Sequence, residues 1–86
     1  MVEDSTEKIH STEGAKRLRR RIAGRVRRLR KSKDMTQQQL ADQAEIDRTY
    51  LARLETQALN VSIDVLYRLA CSLRVEVADL MKAEKK

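Results

Sequence analysis

The 86-residue sequence contains no proline, tryptophan or phenylalanine, and only two tyrosines, two glycines and one cysteine. Each shortage closes off a class of molecule. Strand-favouring aromatics are nearly absent, so the composition suits a helical bundle better than a sheet. Cys71 stands alone, which excludes an intramolecular disulfide and any cysteine-based metal cluster. The one histidine, His10, sits in a polar segment with no fixed partner for proton transfer. There is neither a glycine-rich phosphate loop nor a cluster of metal ligands. No enzymatic activity, cofactor, metal or small-molecule ligand is therefore expected. No apolar run approaches the ~20 residues of a membrane span, and the opening Met1–Thr6 is acidic and polar rather than a signal region. The expectation is a soluble cytoplasmic protein of one small domain, whose modest core leaves part of its working stability to a partner subunit or to DNA.

What the sequence does have is charge, unevenly placed. The net charge is +6. Gly14–Lys33 holds eleven Lys/Arg and no acid, whereas Thr36–Met81 holds four Arg against seven Asp/Glu and is net −3. A basic block beside a near-neutral globular segment points to a polyanionic partner, either nucleic acid or an anionic membrane surface. The plainer alternative is an arginine-rich helix face kept for solubility.

Residues 1–12 show no hydrophobic period and read as a disordered tail. Residues 13–82 form the expected domain, and 83–86 a basic C-terminal tail. The first helix is expected from Thr12 or Glu13 to about Ser32, with Leu18, Ile22, Val26 and Leu29 on one face. Arg17, Arg20, Arg21, Arg25, Arg27 and Arg28 fill much of the remainder, either facing phosphate or laying their stems over neighbouring surface. Thr36 with Gln39 makes a capping-box pattern, so a second helix starts at Gln37 and turns Leu40, Ala41 and Ala44 inward. After a Glu45–Asp47 turn, Asp47 is the expected N-cap of a third helix running from Arg48 to about Thr56. Ser62 caps a fourth that carries Ile63, Leu66, Leu69, Ala70 and Leu73 at helical period. Glu76 starts a short fifth carrying Val77, Leu80 and Met81.

Thr36–Thr56 is the informative unit: a short capped helix, a turn of about three residues, and a second short helix. Leu51 and Leu54 of the second helix face inward, while Arg48, Thr49, Ala52, Arg53 and Thr56 share the other face. A helix fits the major groove, where every base pair shows a distinct donor and acceptor pattern. Arginine reads guanine O6 and N7 with a planar fork, and threonine offers a hydroxyl or a methyl.

These residues resemble the lambda-repressor-like helix-turn-helix proteins of the XRE family. The resemblance runs from about Ile22 to Leu80 and rests on Arg27-Arg28-Leu29-Arg30, Met35-Thr36-Gln37-Gln38-Gln39-Leu40-Ala41, Asp47–Glu55, Asn60-Val61-Ser62-Ile63 and the leucine-rich Leu66–Leu80. It implies an all-α, five-helix DNA-binding domain and a sequence-specific transcriptional regulator of double-stranded DNA. By the same resemblance Arg48, Thr49 and Arg53 would read bases. Gln37, Arg27, Tyr50, Thr56 and Asn60 would meet the phosphate backbone, with Gln37 also placed to buttress Arg48. Arg30 and Glu55 would form an ion pair between the first and third helices. The family's usual turn glycines are replaced here by Glu45, Gln57 and Arg74. The strings Asp47–Leu51 and Asn60–Ile63 are similar to those of restriction–modification controller proteins.

One recognition helix is too little for a long site, so a homodimer on a pseudo-palindromic operator is expected, possessing half-sites about 34 Å apart and open to autoregulation. Tyr67, Val77, Leu80 and Met81 are the candidate dimer surface, with ordinary core packing as the alternative. Two competing readings are an antitoxin-like protein-interaction module gripping through the N-terminal tail, and a nonspecific polyanion binder driven by the first helix.

Overall fold

Among the described residues, apolar residues recurring at three- and four-residue intervals give four helices, each with one face to bury, and a fifth of a single turn follows. The computed structural model describes residues 12–83. They form α1 (Thr12–Ser32), α2 (Gln37–Ala44), α3 (Arg48–Gln57), α4 (Ile63–Leu73) and α5 (Val77–Leu80). No strand occurs among the described residues, so the fold is all-helical as expected. Of the two expected tails, only Thr12 and Ala83 are described, and Thr12 is already helical. The rest of both tails, with His10, lies outside the described residues.

α1 packs against α3 and α5 and touches α4, while α2 packs against α3 and α4. Val26, Leu40, Leu51, Leu54, Leu69, Leu73 and Leu80 are fully buried where these faces meet. Removing each such side chain from water contributes roughly 1.5–3 kcal/mol. Two expected core residues lie outside this centre. Leu18 is exposed because α1 outruns the globule by more than two turns and its buried stripe begins only at Ile22. Ile63 is 73% exposed. At 3.6 residues per turn it falls roughly 70° from the centre of the Leu66–Leu69–Ala70–Leu73 stripe, on the flank of α4.

The caps explain where helices begin. Thr36 Oγ1 accepts the Gln39 N–H at 3.0 Å, and the Gln39 side-chain oxygen accepts the Thr36 N–H at 2.8 Å, completing the capping box of α2. Ser62 Oγ accepts the Val65 N–H at 3.1 Å to start α4. Asp79 Oδ2 accepts the Glu76 N–H at 3.0 Å to start α5. Asp47 departs from expectation: its backbone is extended, as at an N-cap, but its side chain makes no capping hydrogen bond. The carboxylate stays in solvent and acts on α3 only as a charge near the positive end of the helix dipole.

The helix ends carry strain. Asp34, Glu45, Ala58 and Arg74 all have φ between 53° and 60°, and none is glycine. Left-handed backbone costs an ordinary L-residue roughly 1–2 kcal/mol, and least for Asp, whose side chain tolerates that region. Glu45 and Arg74 are two of the three positions where the sequence replaces a family glycine. The third is Ala58 rather than Gln57, because α3 runs one residue further than expected and closes with the Ala58 N–H on the Leu54 carbonyl. At three of these ends the apolar residue after the strained one closes the turn. Met35, Ile46 and Val75 bond back to the carbonyls of Arg30, Ala41 and Ala70 at 3.1, 2.9 and 3.0 Å, and all three pack on the core. Burial of that apolar residue offsets the backbone cost and holds each turn shut.

Candidate nucleic-acid interface

Glu55 is the pivot around which the helix-turn-helix is oriented. Its carboxylate is 1% exposed and receives a two-pronged contact from Arg30: Nε to Oε2 at 2.8 Å and Nη2 to Oε1 at 3.0 Å. A charge so deeply buried is tolerable only with its partners in place. Arg30 uses its remaining Nη1 on the Met35 carbonyl at 2.8 Å, and Gln37 Nε2 donates to Glu55 Oε1 at 3.0 Å. The end of α1, the turn after it, the start of α2 and the last turn of α3 are thus tied together by one carboxylate. The Gln37 amide nitrogen bonds Glu55, a buried acceptor with a spare lone pair, and so leaves its side-chain oxygen as the atom that could meet Arg48, which can only donate.

With Glu55 held inward, the opposite face of α3 is turned out. Arg48, Thr49, Arg53 and Thr56 are exposed, and Ala52 between them is half-buried. Among the described residues no ion pair engages Arg48 or Arg53. Arg27 and Asn60 are exposed, and Gln37 and Tyr50 are half-buried, with the Tyr50 ring packed on the core. Thr56 is less available than its exposure suggests. Its hydroxyl donates to the Ala52 carbonyl at 2.9 Å, which uses its only proton inside α3.

The arginines of α1 divide in a way the sequence did not show. Arg25 Nε donates to the Asp79 carbonyl at 2.9 Å and Arg21 Nη1 to the Met81 carbonyl at 3.4 Å, both at the C-terminal end of α5. That end is the negative pole of the helix dipole, where cations are stabilising. Arg68 does the same for α2, donating to the Ala44 carbonyl at 2.9 Å. Arg21 and Arg25 are therefore parts of the fold rather than a phosphate-facing flank. Their partners lie 54 and 60 residues away, so no local spacing signals them.

The candidate dimer residues lie on α4 and at α5. Tyr67 is 62% exposed, on the same flank of α4 as Ile63 and the exposed Cys71. The neighbouring Cys71 thiol, one turn on, holds the Tyr67 phenol above its ordinary pKa. Leu80, expected on this surface, is fully buried between α1 and α4 and cannot be part of it. Val77 and Met81 are half-buried against the same core. Among the described residues no helix is long and apolar enough to cross a membrane.

The path of this chain matches known proteins over much of its described length. A family model described as helix-turn-helix matches residues 26–80. The chain belongs to the helix-turn-helix family. It is a DNA-binding transcriptional regulator of the XRE type, as the motifs of α2 and α3 implied. It is 33% identical over 63 residues to the immunity repressor protein of Bacillus phage phi105, a match that takes in 73% of this chain and 44% of the phage repressor. The chain thus spans less than half the length of that relative. It is also 33% identical over 61 residues to the control protein C.MunI of Mycoplasma sp, covering 70% of this chain and 82% of that one. Among solved structures, the restriction-modification controller protein C.AhdI from Aeromonas hydrophila superposes with a TM-score of 0.69 at 32% identity, over 72% of this chain and 94% of that chain. The resemblance to controller proteins therefore holds in structure as well as in sequence.

Proposed function

We propose that this regulator acts in the cytoplasm as a homodimer that reads a pseudo-palindromic operator, α3 of each subunit lying in the major groove. Arg48 and Arg53 form forks on guanine edges, and Thr49 contacts the adjacent base through its hydroxyl or methyl. Arg27, Gln37, Tyr50 and Asn60 hold the phosphate backbone and set the register. At the start of α2 the second amide proton of Gln37 is directed to phosphate, beside backbone N–H groups that the helix leaves unpaired. Thr56 joins them only by giving up its bond to Ala52. The observation that carries this reading is the Glu55 knot. It uses the one acid of α3 internally and leaves Arg48 and Arg53 exposed, without ion-pair partners among the described residues.

The dimer surface is the flank of α4 with Tyr67 at its centre, extended by Ile63 and flanked by Val77 and Met81. Occupancy of an operator at the protein's own promoter is then its mode of control. No reacting group is required by this reading.

The test is binding to the DNA upstream of its own coding sequence and to scrambled DNA of equal length, over a salt series. The expected result is preference for the upstream duplex, reduced by about 1–3 kcal/mol in Arg48→Ala or Arg53→Ala. Equal affinity for both duplexes would leave a charge-driven polyanion binder. Binding to neither would leave the protein-interaction reading, whose expected grip lies almost wholly outside the described residues.

A further inference from the structure

The N-terminal half of α1 runs past the core and past the start of the family match at Val26. It does not run into empty solvent. Lys16, Arg19 and Arg20 line one side of a cleft of about 310 Å³, and Thr56, Gln57 and Ala58 at the end of α3 line the other. Arg19 is half-buried there, while Lys16 and Arg20 are exposed. Among the described residues no ion pair or hydrogen bond engages these three side chains. Their neighbours on α1, Arg21 and Arg25, are used on α5. The cleft therefore gathers three uncommitted cations at the C-terminal end of the same helix whose outward face carries Arg48, Thr49 and Arg53.

We infer that this cleft seats a backbone phosphate of the bound duplex, just outside the bases read by α3. The reading rests on the DNA-binding role proposed above and adds a contact that the family-matched segment does not contain. Two features favour DNA as the occupant. The cleft is continuous with the reading face through Thr56, which lies on that face and lines the cleft as well. Thr56 commits its only proton to Ala52 and gives the site no free donor, so the positive charge has to come from α1. The α3 end itself presents carbonyls, the negative pole of its dipole, so Lys16, Arg19 and Arg20 have to outweigh it for a phosphate to be held. The alternative occupant of comparable charge, a structured RNA, is separated by the test.

The experiment uses the full chain with Lys16, Arg19 and Arg20 replaced together by Gln, and a companion with Arg19→Lys and Arg20→Lys that keeps the charge. Binding to the upstream duplex is measured from 50 to 200 mM salt, then repeated on a duplex trimmed to the outer edges of the half-sites. Each lost phosphate contact lowers the slope of log K against log salt by about 0.9 per protomer. The Gln variant is expected to show a slope reduced by about one per protomer, an unchanged ratio of operator to scrambled affinity, and an unchanged melting temperature. The Lys companion is expected to retain the wild-type slope. On the trimmed duplex wild type and Gln variant are expected to bind alike.

An unchanged slope in the Gln variant overturns the inference, as does a deficit of equal size on the trimmed duplex. Tighter binding by the wild type to an RNA duplex of the same length than to either DNA overturns it in favour of RNA. Failure here leaves the Arg48 and Arg53 result untouched. Loss of preference for the upstream duplex by the wild type would strike the proposed function, not the cleft.

Discussion

The arginines at the two ends of α1 have opposite fates, although the sequence writes them in one uninterrupted basic run. From Arg21 to Arg30, the side chains that face the globule are spent on it: Arg21 and Arg25 on the carbonyls of α5, and Arg30 on Glu55 and Met35. Lys16, Arg19 and Arg20 line a cleft at the end of α3 and make no ion pair among the described residues. The difference is one of position along the helix rather than of residue type. The core reaches α1 only from Ile22 onward, and only there do neighbouring elements offer carbonyls and a carboxylate within reach. A net charge of +6 therefore overstates what is available to a polyanion, because part of it is internal structure.

The largest expected effect breaks the spent group at its centre. Glu55→Ala leaves Arg30 buried and unpaired and should cost about 3–5 kcal/mol of stability. Urea denaturation would detect it, and a change under 1 kcal/mol would show the pair to be dispensable. Next is Arg25→Ala. It removes a charged hydrogen bond to α5 that is only half-buried, so a loss of about 1 kcal/mol is expected. Thermal melting at low and high salt checks it: no shift in either would return Arg25 to the available group.

A gain of similar or smaller size is expected at the strained helix ends. Arg74→Gly relieves left-handed backbone but frees the unfolded chain, for a net gain of a few tenths to about 1 kcal/mol. In a domain of this size that is a rise of up to about 4–8 °C in Tm. A fall in Tm would mean that the Val75 contact, not the residue at 74, decides the cost.

The smallest effect concerns acid. Asp79 is held below the ordinary carboxylate pKa, first by its contact with Lys82 and then by the Glu76 N–H. A depressed folded-state pKa contributes stability above the unfolded value, and that contribution is lost as pH falls through the folded value. Asp79→Asn should therefore flatten the acid limb of the stability profile slightly and leave neutral pH nearly unchanged. Melting curves from pH 7 down to 3 would show whether the two limbs differ at all.

Much of the fold was legible because it rests on local rules. The Thr36–Gln39 capping box, the Ser62 cap and the 3.6-residue stripes placed α2 and α4 at their observed starts, and each of these signals acts within a few residues. Arg30 and Glu55 were legible only through family resemblance, since nothing local ties residues 25 apart. Ile63 and Leu18 were misread for one reason: a hydrophobic period gives the direction of a face, not how far the neighbouring helices extend along it. Leu80 was misplaced for the converse reason. A leucine on a four-residue helix has no period to follow, and only the packing of α5 between α1 and α4 shows that it is core.

The sequence by itself determined the helices, their order, and the outward set of Arg48, Thr49 and Arg53, because all of these follow from backbone periodicity and capping within a turn or two. Only the tertiary structure decided which arginines remain available, that Gln37 bonds Glu55, and that Thr56 is already satisfied. Those outcomes depend on which carbonyls and carboxylates distant segments bring within hydrogen-bonding distance, and a hydrogen bond acts over about 3 Å of space however far apart its partners lie along the chain.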